Sequence, residues 1–298
     1  MKNILSILIL GCVACVTAST ASAQYGGSLD VEAVVLPVTV RDSKGRVVSK
    51  VSPDRFHLRI DGIPVPIRDL HREADLPLSL GFVLDTSGSM GGRKMAACQS
   101  LVRAFLRERR AEDQLALWTF GDERVLERFP FGMSWYLLPR VLETIKPWST
   151  TALYDMILRV PDVMERARHP RRAAILLTDG VDNASKIDPA EAARLAEGLQ
   201  TPIYVLGVEP PPRKAGAEGP SYEEILALIG EASGGYYRRI PRLAQMPEVT
   251  LDLLEELSTR FILTFKTSGL GQRRWRSVEV TVDGHEVSVR KGYVGHLP

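Results

Sequence analysis

Apolar and polar residues alternate through the first stretch that reads as structure. Leu36, Val38 and Val40 lead to an Asp42-Ser43-Lys44-Gly45 turn, and Phe56, Leu58 and Ile60 lead to Asp61-Gly62, with Val65 and Ile67 beyond. A period of two predicts half-buried strands in a hairpin-type module. Pro37, Pro64 and Pro66 put these strands at edges or bulges, because proline has no N–H to give to a ladder. From Leu78 the pattern changes. Residues 78–84, 115–120, 174–177 and 203–208 are near-continuous apolar runs, as in strands buried on both faces. Helical periodicity occupies 94–109, 133–145, 153–167, 189–199 and 222–232. Alternating strands and helices predict a mostly parallel sheet with helices on both faces, and a ligand site on the loops at the carboxyl ends of its strands.

One more helix is predicted at 246–258, with Val249, Leu253, Leu254 and Leu257 for packing, and it runs almost directly into a strand at 261–265. Val278, Val280 and Val282 then alternate into Asp283-Gly284, followed by Val287 and Val289, which predicts a hairpin. A lone hairpin is marginal in water. The two terminal β segments, 28–74 and 259–298, are therefore expected to pair into one small β-sandwich, with an α/β domain at 78–258 inserted between them.

The first residues change the frame of the molecule. Met1-Lys2-Asn3, the apolar run from Ile4 to Val16 and Ala21-Ser22-Ala23 read as a secretory signal peptide over 1–23, too short for a spanning helix, so the protein is expected to be secreted or periplasmic without a stable transmembrane anchor. A lipoprotein signal through Ile9-Leu10-Gly11-Cys12 is the weaker alternative. Cleavage removes Cys12 and Cys15 and leaves Cys98, which shares a helical face with Leu101, Val102 and Phe105 and is expected in the core. With 38 Lys+Arg against 36 Asp+Glu, the chain lacks the charge of a nucleic-acid binder. The basic runs Arg166, Arg168, Arg171, Arg172 and Arg273-Arg274-Trp275-Arg276 read as solvated loops.

The chemistry concentrates on one rim. The first buried run ends in Asp85-Thr86-Ser87-Gly88-Ser89-Met90-Gly91-Gly92, which puts one carboxylate and two hydroxyls at alternate positions of a tight loop. Thr151 opens a helix in Thr150-Thr151-Ala152-Leu153-Tyr154-Asp155, and Asp179 ends a buried strand in Thr178-Asp179-Gly180. An all-oxygen set suits a hard cation. Each group alone also serves as a turn former or helix cap; their occurrence at corresponding places along the chain is what favours metal binding. Asp155 is expected to accept a hydrogen bond behind the ligands, and Asp182-Asn183 to shape a loop.

These three motifs resemble the von Willebrand factor A (VWFA) domain, a Rossmann-like α/β fold with a metal-ion-dependent adhesion site, and the flanks are similar to bacterial secreted VWFA-related proteins. The resemblance implies that Ser87, Ser89 and Thr151 are hydroxyl ligands, with Asp85 and Asp179 acting directly or through water. Ser149-Thr150 stand where the family often has glycines, so Thr150 is an alternative to Thr151. Mg2+ suits so few carboxylates better than Ca2+, and Mn2+ is compatible. Two aspartates balance the ion and leave it electrophilic toward an acidic group of a protein or polysaccharide partner.

Enzyme signatures are absent: no G-x-S-x-G elbow, Walker loop or G-x-G-x-x-G, and His57, His71, His169, His285 and His296 are scattered. The expected function is thus an exported, non-enzymatic binding protein. A metal-dependent hydrolase or assembly subunit is the first alternative, and a structural envelope protein with a vestigial site the second.

Overall fold

Burial follows the alternation. β1 (Ala33–Arg41) buries Val34, Leu36, Val38 and Val40, and β2 (Phe56–Ile60) buries Phe56, Leu58 and Ile60. β2 turns through Asp61 (φ 49°) and Gly62 (φ 77°) into β3 (Ile63–Val65), the pair of left-handed residues a tight hairpin requires, and β4 (Asp69–Arg72) follows. The computed structural model describes residues 33–72, 76–121, 124–148, 150–213, 216, 219–267 and 272–296; the expected signal peptide lies outside them.

The next segment builds the α/β domain from β5 (Leu78–Asp85), α1 (Arg93–Glu108), β6 (Gln114–Gly121), β7 (Arg124–Phe129), α2 (Leu138–Glu143), α3 (Leu153–Leu158), α4 (Val160–Val163), β8 (Arg171–Thr178), α5 (Pro189–Ala196), β9 (Ile203–Val208), α6 (Tyr222–Ser233), β10 (Tyr236–Ile240) and α7 (Met246–Thr259). Its sheet runs β10-β9-β8-β5-β6-β7, parallel except for β7. Side chains of β5 alternate between two cores. Leu80, Phe82 and Leu84 pack with α1, α2 and α7, while Val83 packs with α3 to α6. Chain order reverses between β5 and β8, so the switch point, where a crevice opens beyond the strand ends, lies at Asp85 and Asp179.

The chain then returns through β11 (Phe261–Lys266), β12 (Arg274–Val282), β13 (Glu286–Ser288) and β14 (Gly292–Gly295). Strands from both ends interleave in two four-stranded sheets, β13-β1-β11-β4 and β14-β12-β2-β3, around a core that includes Leu36, Leu58, Ile60, Leu263 and Phe265. The fold is thus a Rossmann-like sheet inserted in a β-sandwich. Pro37 lies on the part of β1 that β13 does not reach, and Pro64 lies in the edge strand β3, where a missing N–H costs no ladder bond.

Several expectations need correction. The helix expected at 153–167 breaks at Arg159 because Pro161 lacks an amide donor, and the one expected at 133–145 shrinks to a 3-10 turn and α2, with Trp135 and Tyr136 left exposed. Asp283-Gly284 does form a tight turn, but it carries the chain from one sheet to the other: β12 pairs with β2 and β14, and β13 pairs with β1. β7, β10 and β14 lie at sheet edges and give no clear sequence signal. The basic runs are solvated only in part: Arg166, Arg168, Arg273 and Arg274 are exposed as expected, and the other three arginines are tied into the structure. Arg276 is buried in β12 and pairs with Asp61 at 3.0 Å, Arg171 is buried and donates to the carbonyls of Leu76 and Leu257, and Arg172 donates to those of Ala167 and His169.

Polar contacts on α7 join the two domains. Glu256, buried, accepts from Thr39 Oγ1 at 3.0 Å and from Arg41 Nη2 at 2.5 Å, both on β1. Arg260, also buried, donates to the Tyr204 hydroxyl at 2.6 Å. Removing one partner of a buried pair leaves the other uncompensated. Glu256→Ala is expected to lower the unfolding free energy by about 2–4 kcal/mol in urea titrations, and a loss within experimental error would show that this contact does not hold the domains together.

Candidate metal centre

The loop after β5 is held from below. Thr86 donates both its amide (2.9 Å) and its hydroxyl (2.8 Å) to the Phe120 carbonyl, and its own carbonyl accepts from Trp148 N at 2.8 Å. Met90 is fully buried beneath the turn, and Gly92 takes the left-handed φ of 64° at the start of α1. Ser87 and Ser89 are thereby brought together, with hydroxyl oxygens 3.1 Å apart. Ser87 is buried and Ser89 exposed.

Asp85 is fully buried. Its Oδ1 accepts from Ser87 N and its Oδ2 from Thr178 Oγ1, each at 2.7 Å. Thr178 Oγ1 also accepts from Gly180 N at 3.0 Å, so one hydroxyl ties the β5 loop to the β8 loop. Asp179 is 2% exposed; Lys94 Nζ contacts its Oδ2 at 3.1 Å, and its Oδ1 is buried with no hydrogen-bond partner among the described residues. Gly180, at φ 85°, lets the chain turn beneath Tyr222, whose ring stands 2.8 Å from where a Cβ would be.

The Thr151 loop is clamped to the segment after Asp179. Thr151 N donates to Asn183 Oδ1 at 2.8 Å, the Thr151 carbonyl accepts from the amides of Asn183 and Ala184, and Leu153 N donates to Asp182 Oδ1 at 2.9 Å. Asp182 and Asn183 thus shape the loop, as expected, and Asp155 accepts hydrogen bonds from the loop amides of Lys186 and Ile187 rather than from a ligand residue. Thr151 is buried and Thr150 exposed.

The sequence reading missed Thr178 and Lys94. Lys94 did carry a signal: a cation in the first turn of a helix opposes the dipole and requires a compensating partner, which Asp179 supplies. Thr178 carried none, because its role depends on strand register. Cys98 is a core residue, its thiol pushed up to about 12 by burial.

These residues fit a hard divalent cation. The donors are oxygens, and Asp179 Oδ1 is a buried acceptor with no proton to receive from the described residues. Among the described residues no group of three His, Cys, Asp or Glu converges, so a cation here would rely on hydroxyls beside the two aspartates.

Comparison with known proteins agrees with this fold. Residues 80–181 match the von Willebrand factor type A domain, a span that contains all five expected ligands. Inter-alpha-trypsin inhibitor heavy chain H3 of Pongo abelii is 28% identical over 148 residues, covering 44% of this chain and 17% of that protein. The Bos taurus protein is 30% identical over 152 residues, covering 44% and 16%. The chain therefore spans about one sixth of the length of these relatives. Among solved structures, a von Willebrand factor type A protein from Catenulispora acidiphila has a TM-score of 0.50 at 13% identity, over 90% of this chain and 74% of that one, and so shares the fold.

Burial raises the Asp85 carboxyl to about 6, against the lowering effect of the Thr178 and Ser87 hydrogen bonds. In the metal-free protein the native state therefore holds a proton that the unfolded chain releases near pH 4. Stability from this group falls as pH rises from about 4 to about 6 and stays reduced at neutral pH. Asp85→Asn keeps the shape without the charge, and in chelator it is expected to exceed the wild type by about 2–3 kcal/mol at pH 7, converging with it below pH 4. Equal stabilities at both pH values would contradict a strained carboxylate.

Proposed function

We propose, from the premise that this chain carries a von Willebrand factor type A domain, that it is an exported binding protein whose rim holds a divalent cation, Mg2+ by preference, and captures an acidic group of a protein or polysaccharide partner. Asp85, Ser87, Ser89, Thr151 and Asp179 are the proposed ligands. The observation that carries this reading is the buried Oδ1 of Asp179, without a hydrogen-bond partner among the described residues, on the same rim as the paired hydroxyls of Ser87 and Ser89. When bound, the cation supplies a Lewis-acidic position that a carboxylate can fill. The protein's own residues do the rest: Thr178 and the Ser87 amide orient Asp85, and the Asn183 clamp fixes Thr151.

The histidines lie away from the rim. His57 and His71 lie on the sandwich strands β2 and β4, His285 and His296 follow β12 and β14, and His169 precedes β8 at the far end of the sheet. None stands beside Ser87 or Ser89 as a base. Among the described residues no helix is long and apolar enough to cross a membrane.

Lys94 tunes the same site, since its ammonium opposes an incoming cation at Asp179. In Mg2+ titrations by calorimetry and thermal shift, the wild type is expected to bind, Asp85→Ala to lose both metal and partner binding, and Lys94→Met to bind Mg2+ about tenfold more tightly while melting lower in chelator. Turnover of a phosphate or glycoside substrate by the purified protein would favour the hydrolase reading, and no metal-dependent shift in any variant would favour a vestigial site.

The rim is joined to the sandwich by α1, which begins beside the proposed ligands and packs on α7, and by the Glu256 contacts of α7 with β1. Occupancy is therefore expected to slow amide exchange in α7 and β1. Protection by Mg2+ confined to the three rim loops would sink this coupling.

A further inference from the structure

A second feature lies at the opposite end of the sheet from the rim. There the starts of β8 and β9 face β1 and the segment that leads into β14, and between them is a cavity of about 250 Å³. Its walls include Arg172 from the α/β domain and Arg290 from the sandwich.

Arg290 is 5% exposed, yet no carboxylate among the described residues pairs with it. Its Nη2 donates to the Val35 carbonyl at 3.2 Å, its Nε is buried with no hydrogen-bond partner among the described residues, and its guanidinium lies 6.0 Å from the centroid of the Tyr293 ring. Arg172 spends Nε and Nη2 on the carbonyls of His169 and Ala167, and likewise meets no carboxylate among the described residues. Two guanidiniums from different domains thus line one small cavity without a countercharge among the described residues. A buried cation is costly unless it is paired, and burial pulls the Arg290 pKa down to about 10.

We propose that this interdomain cavity binds a small oxyanion, of the size and chemistry of phosphate or a short carboxylate, between Arg290 and Arg172. The planar fork of arginine matches such groups. The volume accommodates an anion of that size and falls below that of pockets for larger ligands. An anion held from both sides ties the sandwich to the α/β domain independently of the metal rim.

The probe is inorganic phosphate, with acetate as the carboxylate arm, each compared with chloride at equal ionic strength on the full chain. Phosphate also stabilises proteins by exclusion from their surface, an effect that does not saturate at low concentration and does not depend on one arginine. The expected result is saturable binding by calorimetry with a rise in Tm, abolished in Arg290→Met and weakened at least tenfold in Arg172→Met. Arg172→Met serves alone if the first variant does not fold. Unsaturable stabilisation, or an undiminished response in Arg172→Met, overturns the site. Asp30 and Glu32, outside the described residues, supply the remaining control: a response seen only in Asp30→Asn/Glu32→Gln would mean that the chain's own carboxylates fill the cavity, and would overturn an external ligand.

Discussion

A carboxylate with no exposed surface ends a central strand of the sheet, and the arrangement of the rim follows from accommodating it. Asp85 can be buried there because the chain folds back at once, so that the Ser87 amide reaches Oδ1, and because the neighbouring strand places the Thr178 hydroxyl on Oδ2. Those two bonds bend the loop so that Ser87 and Ser89 turn their hydroxyls together. They leave the burial penalty only partly offset, which is why a cation at this point would stabilise the protein as well as recruit a ligand.

The same economy of placement explains Lys94. Asp179 sits beside Asp85 at the switch point, and two carboxylates in one buried crevice repel each other. The ammonium of Lys94 offsets that repulsion from the first turn of α1, at the cost of opposing the helix dipole. The Arg290 cleft lacks such an internal answer among the described residues. The two ends of the sheet thus pose complementary problems, an excess of negative charge at one and of positive charge at the other.

The insertion of one domain into the other imposes a second constraint. Because β11 follows α7 after a single residue, the helix is anchored to the sandwich by the chain itself and by Glu256, while Arg260 at the junction ties back to Tyr204 of β9. Charged side chains that look like surface features in sequence are used here as interior ties, Arg171 to Leu257 and Arg276 to Asp61 being the clearest.

Much of this was legible in the sequence, where the information is local. A period of two at Leu36, Val38 and Val40, unbroken apolar runs such as 203–208, and the left-handed pair Asp61-Gly62 each specify conformation within a few residues, so the strands, the class of fold and the positions of the rim loops could be read directly. Tertiary structure alone decided which sheet a strand joins and which partners a buried charge finds. Val287 leaves its neighbour β12 to pair with β1, Thr178 reaches Asp85 across 93 residues, Lys94 reaches Asp179 across 85, and Arg290 reaches Val35 across 255. Spacing along a chain encodes periodicity, but desolvation and electrostatic pairing depend on distances in space, and those exist only once the two cores have closed.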